Sequence, residues 1–269
     1  MTDAAKTIWI EDEGDHLVVV SDNPANKNAL TPEYHTLLFE ALERAGKEDR
    51  IASVILVGRS GYFCAGGELA TLNSSLKGEG AMTPDAIIKE LQDCAAAIRA
   101  CPKPVIAAVA GGAAGGGFSV VMACDFVVAE EEAKFVPAYV KIAATPDGGL
   151  TSYLANQLPH QLASEICLLG SLLPAQKLHQ HGMVNRLTAP GEAEQEAKTI
   201  AAKLARGPVA THAKMKELLV AGRTNTLVDQ LDLELTTLVN VLQSPSAAEG
   251  ISAFVEKRKP DFPKVEGRT

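Results

Sequence analysis

The chain has 269 residues, 46% of them hydrophobic, and a formal net charge of −8. This suits a globular protein with a sizeable core, and the acidic balance argues against nucleic-acid or membrane-surface binding driven by bulk charge. The five cysteines form no Cys-x-x-Cys pair, no run of about 18 apolar residues occurs, and the N-terminus lacks a signal-peptide core, so the sequence predicts reduced thiols, no membrane span and a cytoplasmic location.

Residues 7–10 and 16–21 read as strands joined by a turn at Glu13-Gly14-Asp15. A polar loop at 23–28 leads to Thr31 and Pro32, an N-cap and first-turn pair opening a helix that runs to about residue 50. Residues 53–58 (SVILVG) form a buried strand and 58–67 a glycine-punctuated loop. The charged, glycine-rich stretch 73–80 is expected to be mobile. Ile87, Leu91, Cys94, Ile98 and Cys101 recur at helical spacing and predict a helix over 84–101. A strand at 105–109, a helix at 115–123 and a strand at 125–129 follow. This alternation indicates an α/β core with a largely parallel sheet. Beyond Leu150, helices are predicted at 150–158, 162–169, 174–181, 191–206, 208–222, 226–243 and 245–259, with one strand at 183–187.

The segment 104–125, PVIAAVAGGAAGGGFSVVMACD, places five glycines among residues 111–117, between a strand and a helix start. Bare backbone lets a ligand approach closely, and N–H groups at a helix start favour negative charge. The competing reading is close packing of strand against helix. The cluster contains no G-x-G-x-x-G, and no P-loop or G-x-S-x-G elbow occurs elsewhere. His179 and His181 have no nearby carboxylate or thiol in sequence and read as a solvated helix end, so no metal site is expected.

SVILVGRSGYFCAGGEL at 53–69 and the glycine segment at 104–125 together resemble the enoyl-CoA hydratase/isomerase, or crotonase, superfamily. NPANKNALTPEY near the start and EGISAFVEKRKPDF at 249–262 extend the resemblance over nearly the whole chain. It implies an α/β fold: a crotonase-like spiral of ββα units at 1–200 carrying the CoA-binding and oxyanion-hole loops, then a helical trimerisation region at 201–269. It implies an acyl-CoA thioester substrate, with coenzyme A part of that substrate and no separate cofactor, and a homotrimer or dimer of trimers. The family grips the thioester carbonyl with two backbone N–H groups, here matched by Gly67 and Gly116. Its CoA contacts fall on Lys27, Ala29, Ala65, Leu69, Phe254 and Lys257.

The resemblance also carries departures. The two glutamates with which hydratases of this family handle water correspond to Ser119 and Ala138, so hydration is disfavoured. Asp147, in ATPDGGLTSYL, resembles the carboxylate of members that shift double bonds from 3-enoyl- to 2-enoyl-CoA. A 1,3-proton shift needs only one acid/base. Its carboxyl would want an apolar pocket, with Ala138, Ile142, Ala143 and Ala144 as candidate walls. The competing reading makes Asp147 a turn residue capping the next helix. Alternative functions are thioester hydrolysis, a nucleophilic Asp as in dehalogenase-like members, residual hydration, or CoA-ester binding without turnover. Glu68 is read as structural, and Tyr139 and Tyr153 as core packing. The acyl pocket is expected to include 73–82.

Overall fold

The runs HLVVVS and SVILVG are buried along their whole length, as strands covered on both faces must be. The computed structural model describes residues 6–268. Its nine strands are β1 (Ile8–Asp12), β2 (His16–Ser21), β3 (Ser53–Gly58), β4 (Val105–Val109), β5 (Gly112–Ala114), β6 (Phe126–Glu130), β7 (Lys134–Val136), β8 (Leu173–Pro174) and β9 (Arg186–Thr188). A six-stranded sheet has the order β1-β2-β3-β4-β6-β9, and a small sheet the order β5-β7-β8. Apart from the antiparallel β1–β2 hairpin, every pairing in the large sheet is parallel.

Helices α1 (Pro32–Lys47), α2 (Leu69–Leu76), α3 (Pro84–Ala100), α4 (Gly116–Ala123) and α5 (Leu150–Gln157) belong to the first half of the fold. They are followed by α6 (His160–Leu169), α7 (Ala175–Gln180), α8 (Ala193–Ala205), α9 (Val209–Ala221), α10 (Leu227–Leu242), α11 (Pro245–Val255) and α12 (Phe262–Val265). Alternate strand residues feed opposite faces of the large sheet. Leu17, Val19, Val54, Leu56, Val105 and Ala107 join the main core with α1, α3 and α4. Val18, Val20, Ile55, Val57, Ile106 and Val128 meet α8 through Ala193, Ala197 and Ala201. Alanines four apart make a narrow stripe, so α8 lies close to the sheet. This helix runs across the expected division at residue 200.

The fold winds as a spiral. Each turn gives one strand to the large sheet, then a shorter extended segment to a second layer, then a helix. The second layer is continuous: Leu30 pairs with Gly67, Cys64 with Ala113, Ala113 with Phe135, and Phe135 with Leu173. The starts of α2, α4 and α5 therefore belong to successive turns.

Several expectations are corrected. Within 73–80, residues up to Leu76 belong to α2, and Ser75 Oγ donates to the Met82 carbonyl at 2.6 Å. The strand expected at 183–187 shrinks to β9, since Asn185 Oδ1 takes the Val127 N–H at 2.8 Å in place of a ladder carbonyl. The last predicted helix stops at Val255, and Lys257 adopts a left-handed conformation at φ 55°. Strands β5, β7 and β8 span three residues or fewer and carry no readable period. Among the described residues no helix is long and apolar enough to cross a membrane.

Candidate active site

The strand–loop–helix crossings bring three predicted residues to one cavity. Gly67, Gly116 and Asp147 all line a space of about 560 Å³, walled largely by Leu30, Leu72, Ile87, Ile88, Leu91 and Ile142. A second cavity, of about 440 Å³, surrounds the Asp125–Lys216 ion pair, and none of the predicted site residues lines it.

The two glycine loops are held together by main-chain bonds. Ala114 N–H donates to the Cys64 carbonyl at 2.9 Å, and Leu30 N–H donates to the Gly66 carbonyl at 2.8 Å. A Cβ on Gly66 would stand 2.9 Å from the Ala114 oxygen and 3.3 Å from the Gly116 nitrogen. The loops thus touch through bare backbone. Gly67 precedes α2, and Gly116 is the first residue of α4. Neither N–H donates to an acceptor among the described residues. Two unpaired amides at the edge of an apolar cavity suit a negatively charged oxygen, and at Gly116 the start of α4 adds its dipole.

The glycines play different parts. A Cβ at Gly116 would meet Leu91 Cδ2 at 2.7 Å, and one at Gly117 would meet Cys64 Cβ at 2.7 Å, whereas one at Gly67 meets nothing within 4 Å. Gly67 opens onto the cavity, while Gly116 and Gly117 let α4 sit against its neighbours. The packing reading of the cluster therefore holds for Gly116 and Gly117. In the same loop, burial pushes the Cys64 thiol up to about 12, which keeps it protonated, and its Sγ accepts the Gly66 N–H at 3.3 Å.

Asp147 ends the chain of contacts on the opposite side. Tyr139 Oη donates to Asp147 Oδ1 at 2.6 Å, Ser119 Oγ donates to the Asp147 carbonyl at 2.9 Å, and Ser119 Oγ lies 3.0 Å from Tyr139 Oη. Three contacts share two hydroxyl protons, so one proton serves two of them. Tyr139 packs against the main core, as expected from sequence, and its hydroxyl also lines the cavity and holds the carboxylate. Only its contact in three dimensions reveals this. Tyr153 packs under Gly149, as expected. The capping role for Asp147 is not observed: α5 is entered through Gly149, with no side-chain cap bond.

Burial raises the Asp147 pKa above its ordinary value, opposed by the Tyr139 hydrogen bond. Burial also raises the Tyr139 hydroxyl, reinforced by the adjacent carboxylate, so it stays a donor. Ser119 is fully buried, and a Cβ on Gly148 would stand 2.8 Å from its Cβ. The loop carrying Asp147 occupies the space a longer side chain at 119 would need. Of the expected apolar walls, Ile142, Ala143 and Ala144 line the cavity, whereas Ala138 does not.

The remaining predicted residues divide into two groups. Leu69 lines the cavity. Lys27, Ala29 and Ala65 lie around its rim loop: Ala65 N–H donates to the Lys27 carbonyl at 3.0 Å, and Lys27 Nζ stands 5.7 Å from the Tyr62 ring centre. Ala29 and Glu68 face a smaller recess of about 270 Å³. Glu68 also lines the main cavity and accepts from Thr71 Oγ1. Phe254, 85% exposed, and Lys257 do not line the cavity of their own chain. No cluster suited to a metal ion exists among the described residues.

An acid whose pKa is higher folded than unfolded is most stabilising when protonated. Its contribution is present below the unfolded carboxylate value and lost as pH rises through the raised folded value. Asp147→Asn removes that penalty, so its Tm at pH 7 should exceed wild type by about 2 °C. Calorimetric scans below pH 4 should show the gain disappear.

Comparison with known proteins agrees with this fold. Residues 15–265 match the family model for enoyl-CoA hydratase/isomerase. A probable enoyl-CoA hydratase of Rhodobacter capsulatus is 34% identical, over 91% of this chain and 93% of its own length. A 1,2-epoxyphenylacetyl-CoA isomerase of Escherichia coli is 32% identical, over 91% and 94%. A crystal structure of an enoyl-CoA hydratase from Polaromonas sp. JS666 superposes with a TM-score of 0.90 at 41% identity, covering 94% of this chain and 98% of that one. The spiral of ββα turns is thus the crotonase fold expected from the glycine loops, and the chain belongs to the enoyl-CoA hydratase/isomerase family.

Proposed function

We propose that the protein is an acyl-CoA isomerase that moves a double bond from the 3- to the 2-position by a 1,3-proton transfer. The observation that carries this reading is Asp147: one half-buried carboxylate with a raised pKa, facing the two free amides of Gly67 and Gly116 across one cavity. Ser119 and Ala138 supply no carboxylate where hydratases hold two, which favours proton transfer over addition of water. Coenzyme A enters as part of the substrate, with Leu69 on the cavity wall, Ala29 in the smaller recess, and Lys27 and Ala65 joined by a main-chain hydrogen bond as its further contacts.

The thioester oxygen accepts the N–H groups of Gly67 and Gly116. Asp147 takes a proton from C2, and the electron pair moves into the carbonyl as an enolate. Fixed amide dipoles in a largely apolar site stabilise that charge, each by about 3 kcal/mol. The π electrons shift toward C2–C3, and the Asp147 carboxyl returns its proton to C4. Tyr139 holds Oδ1, so the other carboxylate oxygen carries the proton.

Asp147→Asn should lower isomerisation and deuterium exchange at C2 and C4 by about 10³-fold while acyl-CoA binding persists. Incubation with straight-chain 3-enoyl-CoA esters in heavy water, read by mass spectrometry, tests this; unchanged turnover, or 3-hydroxyacyl-CoA as product, would refute it. The rate should rise with pH as Asp147 ionises. Tyr139→Phe removes a hydrogen bond to the anion, so this limb should move to higher pH.

Assembly into trimers is part of the same proposal. Helix α10 buries none of its residues, and Leu231, Leu235, Leu238 and Leu242 lie exposed at heptad-like spacing. An apolar stripe of this kind marks an interface. Sedimentation equilibrium should give a trimer or hexamer, and Leu235→Glu with Leu238→Glu should dissociate it.

A further inference from the structure

The wall that α3 presents to the cavity carries a carboxyl group, hydrogen-bonded to a histidine, with no part in the proton shift. Ile87, Glu90 and Leu91 of α3 all line the cavity. Leu91 reaches the reaction centre: its Cδ2 stands 2.7 Å from a Cβ placed on Gly116, and its Cγ 3.3 Å from one on Gly148. Glu90, the preceding residue of α3, lines the same cavity.

His35 of α1 fixes Glu90 in place. Its Nδ1 lies 2.7 Å from Glu90 Oε2, and the two side chains are 9% and 28% exposed. With the carboxylate ionised, Nδ1–H is the donor. Glu90 Oε1 accepts no hydrogen bond among the described residues. His35 also lines the cavity, while its Nε2 is buried without a partner. Leu30, Met82, Ile87 and Ile88 make the neighbouring lining largely apolar, with Gln92 of α3 a further polar residue on the cavity.

A purely aliphatic acyl chain filling this space would strip water from the free Glu90 oxygen and offer nothing in return, which is unfavourable for an ionised group. A hydroxyl at that point would donate to it. Sites built to hydrogen-bond a substrate hydroxyl reject the analogue lacking it far more strongly than apolar pockets discriminate methylenes. We propose that Glu90, positioned by His35, is a specificity-determining acceptor for a hydroxyl carried by the acyl group beyond the reacting carbons. The substrates are then hydroxylated acyl-CoA esters. This rests on the acyl-CoA reading of the cavity but not on the isomerase step.

Binding of saturated esters tests it without turnover. Titration calorimetry compares hexanoyl-CoA with its 4-, 5- and 6-hydroxy derivatives. At least one hydroxylated ester should bind wild-type protein about tenfold tighter or more. Glu90→Leu should abolish or reverse that preference. Because it also leaves His35 unpaired, the double variant His35→Leu with Glu90→Leu, which removes both polar partners, should give the same loss. Equal or weaker binding of every hydroxylated ester by wild type overturns the proposal, as does a preference that survives both variants. Failure to bind hexanoyl-CoA or any derivative overturns the acyl-CoA reading itself, so the two failures are distinct.

Discussion

Main-chain pairing between successive turns of the spiral is the constraint on which the site depends. The second layer runs from Leu30 through Gly67, and from Cys64 through Ala113 to Phe135. Ala114 N–H to the Cys64 carbonyl and Gly115 N–H to the Val136 carbonyl, both 2.9 Å, lock adjacent turns in register. A helix begins soon after each of these segments. The amide before α2, the first amide of α4 and the carboxylate before α5 therefore converge without any long side chain reaching across. A catalytic arrangement built from backbone inherits the rigidity of the sheet, which suits donors that must not reorganise as charge develops.

This geometry explains why so much of the fold was legible in the sequence. Strands buried on both faces read as continuous apolar runs, and 16–21, 53–58 and 105–109 emerge with the boundaries their residues predict. The glycine loops were legible because close backbone approach admits no substitute. The second layer was not: β5, β7 and β8 are fixed by neighbours distant in sequence, and two- or three-residue segments carry no periodicity. Helix α2 was hidden for a related reason, since its glycine- and charge-rich surroundings look like a loop until Ser75 is seen bonded to Met82.

At the site, the residues carried by the resemblance were the readable ones, and their partners were not. Asp147 stood out beside its glycine turn, whereas Tyr139 looked like any partly apolar aromatic. Its role comes from a 3-10 turn that brings its hydroxyl to the Asp147 carboxylate. His35 and Glu90 were equally silent: 55 positions separate them, and each reads alone as an ordinary helix residue. Polar pairs between distant elements leave no periodic trace.

Ser119 shows how one position changes the chemistry available. Its hydroxyl holds the Asp147 backbone and approaches Tyr139, while its small Cβ lets Gly148 pack against it. A glutamate there would crowd the Asp147 loop and place a second negative charge near a half-buried carboxylate. Burial raises the pKa of the Asp147 carboxyl against the Tyr139 hydrogen bond, and Tyr139 occupies one of its oxygens; in the proposed reaction this is the single acid/base. A second carboxylate at this point would divide the proton between two groups, whereas a 1,3-shift requires that one group remove it and return it.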